Sequence, residues 1–315
     1  MDILTIGDSC IDVTMHVSNA DEVNMSGSDK QQICFLHGSK IPVDRFYSAI
    51  GGNSVNVAAG CNRMGLKTAV YTEIGDDANG KLIVDELNKL GINTEFCIKN
   101  KAEVTNVNSI VVHNYERTIF SYHAPRNYKV RDWEKPTFLY YTSIGEGFQK
   151  FQMELIDYIE KNRDIGVIFN PGTQQMKAGY NSIKEFLEVT NILILNLDEA
   201  VRLVGEKPLP KMHIDLQKLG PKLTVITDGK NGASGFDGEN LVKVSAYNDG
   251  REVKDKTGAG DAFSSGFISA IFHKKPLKEA LGWGSINSFG EITKESAGTG
   301  IFNKKEMEKI TNEIM

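Results

Sequence analysis

Strand-like apolar runs alternate with runs of helical period along most of this chain, and that alternation restricts the folds open to it. Residues 2–7, 68–74, 138–143, 165–169, 191–195 and 223–227 read as strands. Several are continuously apolar, as in strands covered on both faces. Helical spacing marks 53–64, 79–90, 149–162, 180–188, 198–204, 259–273 and 277–292, with Gly65 and Gly91 as stop signals for the first two. The pattern predicts a doubly wound, mostly parallel α/β sheet flanked by helices, one domain over 1–315. Two stretches depart from it. Residues 11–50 contain no good helix, and a polar middle at about 18–32 separates two strands. Residues 96–123 alternate like antiparallel strands, with Val107, Ser109, Val111 and His113 on one face, a turn near Asn114–Arg117, then Ile119 and Phe120. Together they predict a small β-sheet lid over the carboxyl ends of the parallel strands, where ligands of such sheets bind.

Bulk properties narrow the function classes. The formal net charge is −5, which argues against broad electrostatic binding to nucleic acid or an anionic membrane. No apolar stretch approaches membrane-spanning length. Met1-Asp2 runs straight into a strand-like segment without a basic region and apolar core, so the expectation is a cytoplasmic protein without a secretory signal. Cys10, Cys34, Cys61 and Cys97 are scattered, which predicts thiols rather than a disulfide framework or zinc site.

The chemistry concentrates at Asp255-Lys256-Thr257-Gly258-Ala259-Gly260-Asp261-Ala262-Phe263. A small-residue turn opening a helix leaves backbone N–H groups without intrahelical partners at the positive end of the helix dipole, a place for a phosphate. Asp261 stands just inside that helix, where the expectation is an ionised carboxylate able to act as base on a hydroxyl attacking phosphorus. The same run is also consistent with a glycine turn and an Asp N-cap. It is not a dinucleotide fingerprint, because position 263 is Phe rather than a third glycine. A Rossmann dehydrogenase is therefore excluded.

Four further constellations each carry two readings. In Gly51-Gly52-Asn53-Ser54-Val55-Asn56, the glycines allow close backbone approach and Asn53 and Asn56 offer amides for sugar hydroxyls. Alternatively, Asn53 or Ser54 simply caps the helix. In Asn196-Leu197-Asp198-Glu199, Asn196 and Glu199 share a face and can hold water ligands of Mg²⁺, or form an N-cap with an acidic first turn. Thr227-Asp228-Gly229 ends a strand, either bordering a nucleotide or turning a hairpin. Asp12, in a loop after the first strand, can accept hydrogen bonds from vicinal hydroxyls or be merely solvated.

In this order the motifs resemble the ribokinase-like family of sugar and nucleoside kinases, also called PfkB carbohydrate kinases. The N-terminal signature is similar to Gly51–Ala58, continuing through Arg63-Met64-Gly65 to Ile74–Gly80; the C-terminal one is similar to Asp255–Asp261. Asn196 and Glu199 match the intermediate element. The resemblance implies a ribokinase-like fold whose β lid often serves as a homodimer contact. It implies transfer of the ATP γ-phosphoryl group to a hydroxyl of a sugar or sugar derivative, with a nucleoside as the alternative acceptor. Asp261 would then be the base and Gly258, Ala259 and Gly260 the anion hole. Asp12, Gly51, Gly52, Asn53 and Asn56 would bind the acceptor. Asn196 and Glu199 would organise Mg²⁺ and the phosphates, with Thr227, Gly229 and Asn287 along the nucleotide. Asp255 and Thr257 match a K⁺ site found in many members, whose later ligands near Ala297–Gly300 are weakly patterned here. Lys256 stands where the family commonly has Thr, and either adds charge near the phosphates or points to solvent. Cys10 stands where ribose-specific members carry Asn, against a ribokinase assignment. Arg126 either favours an anionic acceptor or lies in solvent. Intact site motifs and the lack of a basic DNA-binding segment argue against a silent ligand-binding regulator.

Overall fold

The computed structural model describes residues 1–315 except 19, 25–30, 115, 295–299 and 315. Its strands are β1 (Ile3–Ile6), β2 (Cys10–His16), β3 (Asp21–Asn24), β4 (Gln31–Cys34), β5 (Arg45–Gly51), β6 (Thr68–Gly75), β7 (Cys97–Asn100), β8 (Asn106–His113), β9 (Glu116–Tyr122), β10 (Phe138–Tyr141), β11 (Gly166–Phe169), β12 (Ile192–Asn196), β13 (Leu223–Thr227), β14 (Ala233–Phe236) and β15 (Leu241–Val244). Its helices are α1 (Asn53–Arg63), α2 (Ala78–Lys89), α3 (Phe148–Lys161), α4 (Thr173–Ala178), α5 (Tyr180–Glu188), α6 (Leu197–Val204), α7 (Leu209–Gln217), α8 (Ala259–Phe272), α9 (Leu277–Ile292) and α10 (Lys304–Ile314).

The main sheet has nine strands in the order β15-β14-β13-β12-β11-β10-β1-β6-β7 among the described residues. It is parallel from β7 to β13, and β14 and β15 add an antiparallel edge. Strand alternation divides the core. Leu4, Ile6, Leu139 and Tyr141 face α3, α5, α6 and α7, while Ile3 and Tyr140 face α1, α8, α9 and α10. The chain leaves β1 toward β6 and β7, then returns to β10 on β1's other side. That reversal opens a crevice at the carboxyl ends of the strands, the usual ligand position in such sheets.

The lid is a four-stranded sheet in the order β5-β2-β8-β9, with β2 and β8 parallel and the other pairs antiparallel. It differs from the sequence expectation in two ways. Residues 97–100 form β7, which pairs with β6 at the edge of the main sheet and not in the lid. The 11–50 stretch supplies β2 and β5 to the lid and a separate β3–β4 hairpin between them. Alternation identifies a strand but not the sheet that receives it. The β8–β9 turn falls where the sequence puts it, with Asn114 in the left-handed region at φ 48°. Val107, Val111 and His113 do share a face, and the opposite face, with Thr14, Tyr47, Ile110 and Val112, looks onto a cavity beneath the lid.

Asp77 ties the lid to the body. Its carboxylate accepts the Gly80 N–H at 2.8 Å, capping α2, and also the Thr105 N–H and hydroxyl at 2.8 and 2.7 Å at the entry to β8. Those hydrogen bonds hold the carboxylate below its ordinary range, against a burial effect in the other direction. Arg126 is half buried at the same place, its Nη2 donating to the Val104 carbonyl at 2.7 Å and Asn106 Oδ1 at 3.0 Å, so it does not simply lie in solvent. Among the described residues no helix is long and apolar enough to cross a membrane. Cys10, Cys61 and Cys97 are buried free thiols and Cys34 is exposed.

Candidate active site

The site begins with what α8 does at its first turn. Gly258 is the N-cap at φ 75°, a left-handed backbone that a residue with a Cβ adopts only under strain, and no side chain caps the helix. Gly260, in the first turn, lines the crevice with no capping side chain on the helix, while the Ala259 N–H reaches back to the Lys256 carbonyl at 3.4 Å. Asp261 is the third residue of α8, not an N-cap. Its carboxylate is turned away from the helix end and held by two amides of α1. Asn53 Nδ2 donates to Oδ1 at 2.9 Å and Asn56 Nδ2 to Oδ2 at 2.8 Å. Asn53 and Asn56 sit three apart on one face of α1, which packs directly on α8. Both amides are engaged with the Asp261 carboxylate.

Burial governs the electrostatics of Asp261. The residue is 8 % exposed, and desolvation pushes its carboxyl up to about 6; the Asn56 and Asn53 amides pull the other way, and the nearby Asp12 charge adds to the rise. A carboxyl at about 6 is still mostly ionised at neutral pH. Each oxygen uses one acceptor position on an amide and keeps another for an incoming hydroxyl.

Asp12 lies within β2, not in a loop. Its Oδ1 accepts Asn108 Nδ2 at 2.8 Å and the Cys10 thiol at 3.2 Å. The backbone of the double glycine passes close beside it. A Cβ at Gly51 would stand 2.3 Å from Asp12 Oδ2, and one at Gly52, whose φ is 104°, 2.4 Å from the Asp8 carbonyl. Gly52 is the N-cap of α1; Asn53 and Ser54 are inside the helix, and Ser54 Oγ donates to the Asp8 carbonyl at 3.0 Å.

Two openings lie on this side of the sheet, and Asp261 lines the smaller. A polar cleft of about 140 Å³ brings together Asn53, Asn196, Glu199, Thr227, Gly260 and Asp261, although up to 208 positions separate them in sequence. Asn196 and Glu199 form a reciprocal capping box at the start of α6, with Asn196 N–H to Glu199 Oε2 at 2.9 Å and Glu199 N–H to Asn196 Oδ1 at 2.8 Å. The N-cap reading of that motif is what the hydrogen bonds show, and the box also borders the cleft. Burial raises the Glu199 carboxyl, partly offset by the Asn196 N–H. A larger cavity of about 850 Å³ lies between the inner face of the lid and residues 252–257, lined by Asp12, Tyr47, Ile110, Arg117, Asp255 and Thr257 among others. Lys256 is exposed and lines it too.

Asn287 and Gly229 fall outside both openings. Asn287 is fully buried; its Nδ2 donates to the Ala262 carbonyl at 2.8 Å and Ser265 Oγ at 3.1 Å, and its Oδ1 accepts the Phe302 N–H at 3.0 Å. It braces α8 against α9 and has no group left for a nucleotide. Gly229 sits in the turn between the antiparallel strands β13 and β14, so that segment is a hairpin whose leading residue, Thr227, borders the cleft. Asp255 Oδ1 accepts the Thr257 N–H at 2.7 Å and hydroxyl at 2.6 Å, and faces Arg117 Nη1 at 3.4 Å. These bonds engage Asp255 Oδ1 and the Thr257 hydroxyl, side-chain atoms of the expected K⁺ element. Of the later K⁺ candidates, Ala297–Thr299 lie outside the described residues.

Sequence reasoning missed Asn170. It follows β11 as Asn196 ends β12, lines the polar cleft, accepts the Tyr140 hydroxyl at 3.0 Å and donates to the Ile194 carbonyl at 2.9 Å. The available signal was an Asn before Pro171-Gly172 at the end of an apolar strand. Arg117 was named only as part of a turn.

Known proteins share this fold. The ribokinase of Arabidopsis thaliana, solved with ribose and ATP, superposes with a TM-score of 0.80 at 19 % identity, over 98 % of each chain. The nucleoside kinase of Methanocaldococcus jannaschii gives 0.80 at 17 %, over 99 % of each chain. In sequence, the chain is 25 % identical to an ATP-dependent 6-phosphofructokinase of Thermoanaerobacterium thermosaccharolyticum over 296 residues, 89 % of this chain and 84 % of that one. It is 26 % identical to a nucleoside kinase of Methanothermobacter thermautotrophicus, over 88 % and 84 % of the two chains. The model of the pfkB family carbohydrate kinases matches residues 9–305, a span that takes in the double glycine, the capping box and the Asp261 turn. With that match added to the fold and the cleft, the chain belongs to the pfkB family of carbohydrate kinases and is a phosphotransferase with an alcohol group as acceptor.

Proposed function

We propose that this kinase transfers the γ-phosphoryl group of ATP to a hydroxyl of a small sugar or sugar derivative, with Asp261 as the general base. The observation that carries the reading is the Asp261 carboxylate itself. It is buried at the first turn of α8, held by Asn53 and Asn56, and lines the polar cleft, with the Asp12 charge near enough to act on it. The acceptor lies beside Asp12 and gives its hydroxyl proton to Asp261 as its oxygen attacks phosphorus in line. The N–H groups at Gly258–Gly260 hold the transferring group, and ADP departs along the β12–β13 side. Mg²⁺ neutralises charge on the phosphates when bound. Asn196 and Glu199 suit it through water, as Mg²⁺ keeps several waters; no cluster of three or more His, Cys, Asp or Glu stands ready to ligate it directly among the described residues.

A nucleoside acceptor is the second reading. The larger cavity is roomy for a single sugar ring, and Tyr47, Ile110 and Val112 give its lid wall an apolar strip against which a base can pack. Coupled ADP release with Mg²⁺-ATP, run over hexoses, pentoses, sugar acids, sugar phosphates and nucleosides with and without K⁺, separates the two. One acceptor class should respond. Silence over the whole panel from protein that binds ATP contradicts the enzyme reading and favours a ligand-binding regulator.

The outer face of the lid exposes Phe46, Phe120 and Tyr122 at 65, 62 and 51 %. Exposed aromatics on a four-stranded sheet support a homodimer formed through the lid. Sedimentation velocity should give a dimer that Phe120→Glu dissociates; a wild-type monomer at tens of micromolar contradicts it. ATP as co-substrate and the free thiols support a reducing, cytoplasmic setting.

A further inference from the structure

Across the larger cavity from the body, the inner face of the lid ends in a row formed by His16, Arg45, Val112 and Arg117, paired in register. Arg117 reaches over that cavity. Its Nη1 hydrogen-bonds to Thr257 Oγ1 and stands 3.4 Å from Asp255 Oδ1. The Thr257 hydroxyl in turn donates to Asp255 Oδ1 at 2.6 Å, and the Thr257 N–H donates to the same oxygen at 2.7 Å. A guanidinium on the lid, a hydroxyl and a carboxylate thus form one chain of hydrogen bonds in which each bond polarises the next. The backbone N–H groups of Lys254 and Asp255 are pinned to the Ile292 carbonyl at 2.8 and 3.2 Å, so this segment has one fixed end at α9. Its other end is the left-handed Gly258 and the first turn of α8. Residues 255–257 therefore join a fixed point at α9 to the first turn of α8.

We propose that Arg117 is a positioning residue: by closing on Asp255 and Thr257 it sets the geometry of the Gly258–Gly260 turn and links closure of the lid to formation of the anion hole. Simple charge attraction is a poor explanation of the contact. The same cavity is lined by Asp44, Glu116 and Glu252 and by Arg45, Lys254 and Lys256, so carboxylates other than Asp255 border the space that Arg117 crosses. The contact chosen is the one that continues into the Asp255–Thr257 turn. The consequence for rate is large because a misplacement of about 1 Å in positioned groups costs up to on the order of 10²-fold.

The test has two arms, and the first needs no substrate. Amide hydrogen exchange is followed over residues 254–261 in the ligand-free full chain, for wild type, Arg117→Ala and Arg117→Lys. The Ala variant should exchange about three- to fivefold faster there, Lys should fall between, and β8 should stay as protected as in the wild type, which verifies a folded lid. Asp255→Asn should give a similar rise, and adding it to Arg117→Ala should add little, since both break one chain. Unchanged exchange at 254–261 with a folded lid, or fully additive effects, overturns the proposal. The second arm rests on the kinase reading. Arg117→Ala should lower kcat about tenfold with KM for the acceptor nearly unchanged. A raised acceptor KM with unchanged kcat would instead make Arg117 a substrate ligand. Because the exchange arm uses the protein alone, failure of the kinase reading and failure of the Arg117 proposal are separable.

Discussion

Asp261→Asn is expected to lower kcat by on the order of 10³-fold while leaving ATP affinity within a few-fold. An amide keeps the shape of the carboxylate but cannot take the proton of the attacking hydroxyl. The N–H groups at Gly258–Gly260 remain, so nucleotide binding persists. Stability should move the other way. The folded carboxyl titrates at about 6, above the roughly 3.9 of an unfolded Asp, so the unfolded chain ionises first. The cost of holding this charge in the fold is absent below pH 4, grows as pH rises to about 6 and is constant beyond it. Asp261→Asn should therefore be more stable than wild type at pH 8, by up to about 3 kcal/mol, with the difference vanishing near pH 4. The Asn56 amide must flip for the new Nδ2 to find an acceptor, which takes back part of the gain. Thermal unfolding at the two pH values reads this directly. An equal loss of stability and activity at pH 8 would mean that the residue is structural.

The second large effect concerns the two α1 amides. Asn53 and Asn56 hold the ionised form of Asp261, and a hydrogen bond to a charged group contributes about 1.5–3 kcal/mol. Removing both in Asn53→Ala/Asn56→Ala should move the acidic limb of kcat/KM from about 6 in the wild type to about pH 8. Activity at pH 7 then falls about tenfold and returns toward wild type near pH 9. If the two amides instead bind acceptor hydroxyls, as the sequence suggests on its face, the acceptor KM rises and the limb stays where it was. The pH–rate profile of the double variant decides between these roles.

That pair also shows where sequence reasoning reaches its limit. The parallel strands and the helices around them were legible because burial on both faces and helical period leave local patterns. The turn at Gly258–Gly260 was legible for the same reason. The partner of Asn56 was not, because Asp261 is 205 residues away and only the packing of α1 on α8 joins them. Asn287 shows the converse. Its side chain suits a ligand, but α8 and α9 pack closely enough to consume every polar atom it has. The short helices α4, α7 and α10 went unread; α7 begins Leu209-Pro210 after Pro208 and looks like a loop until its buried Met212 and Leu216 find the core.

The most direct test of Asp261 as the base of a kinase is acceptor-dependent ADP formation from Mg²⁺-ATP, measured from pH 5 to 9 for wild type and Asp261→Asn with the responsive acceptor. The expected result is wild-type turnover that falls as pH drops through about 6, and a variant that is nearly silent at every pH although it binds ATP. Turnover by Asp261→Asn within about tenfold of wild type at any pH in that range would contradict the assignment.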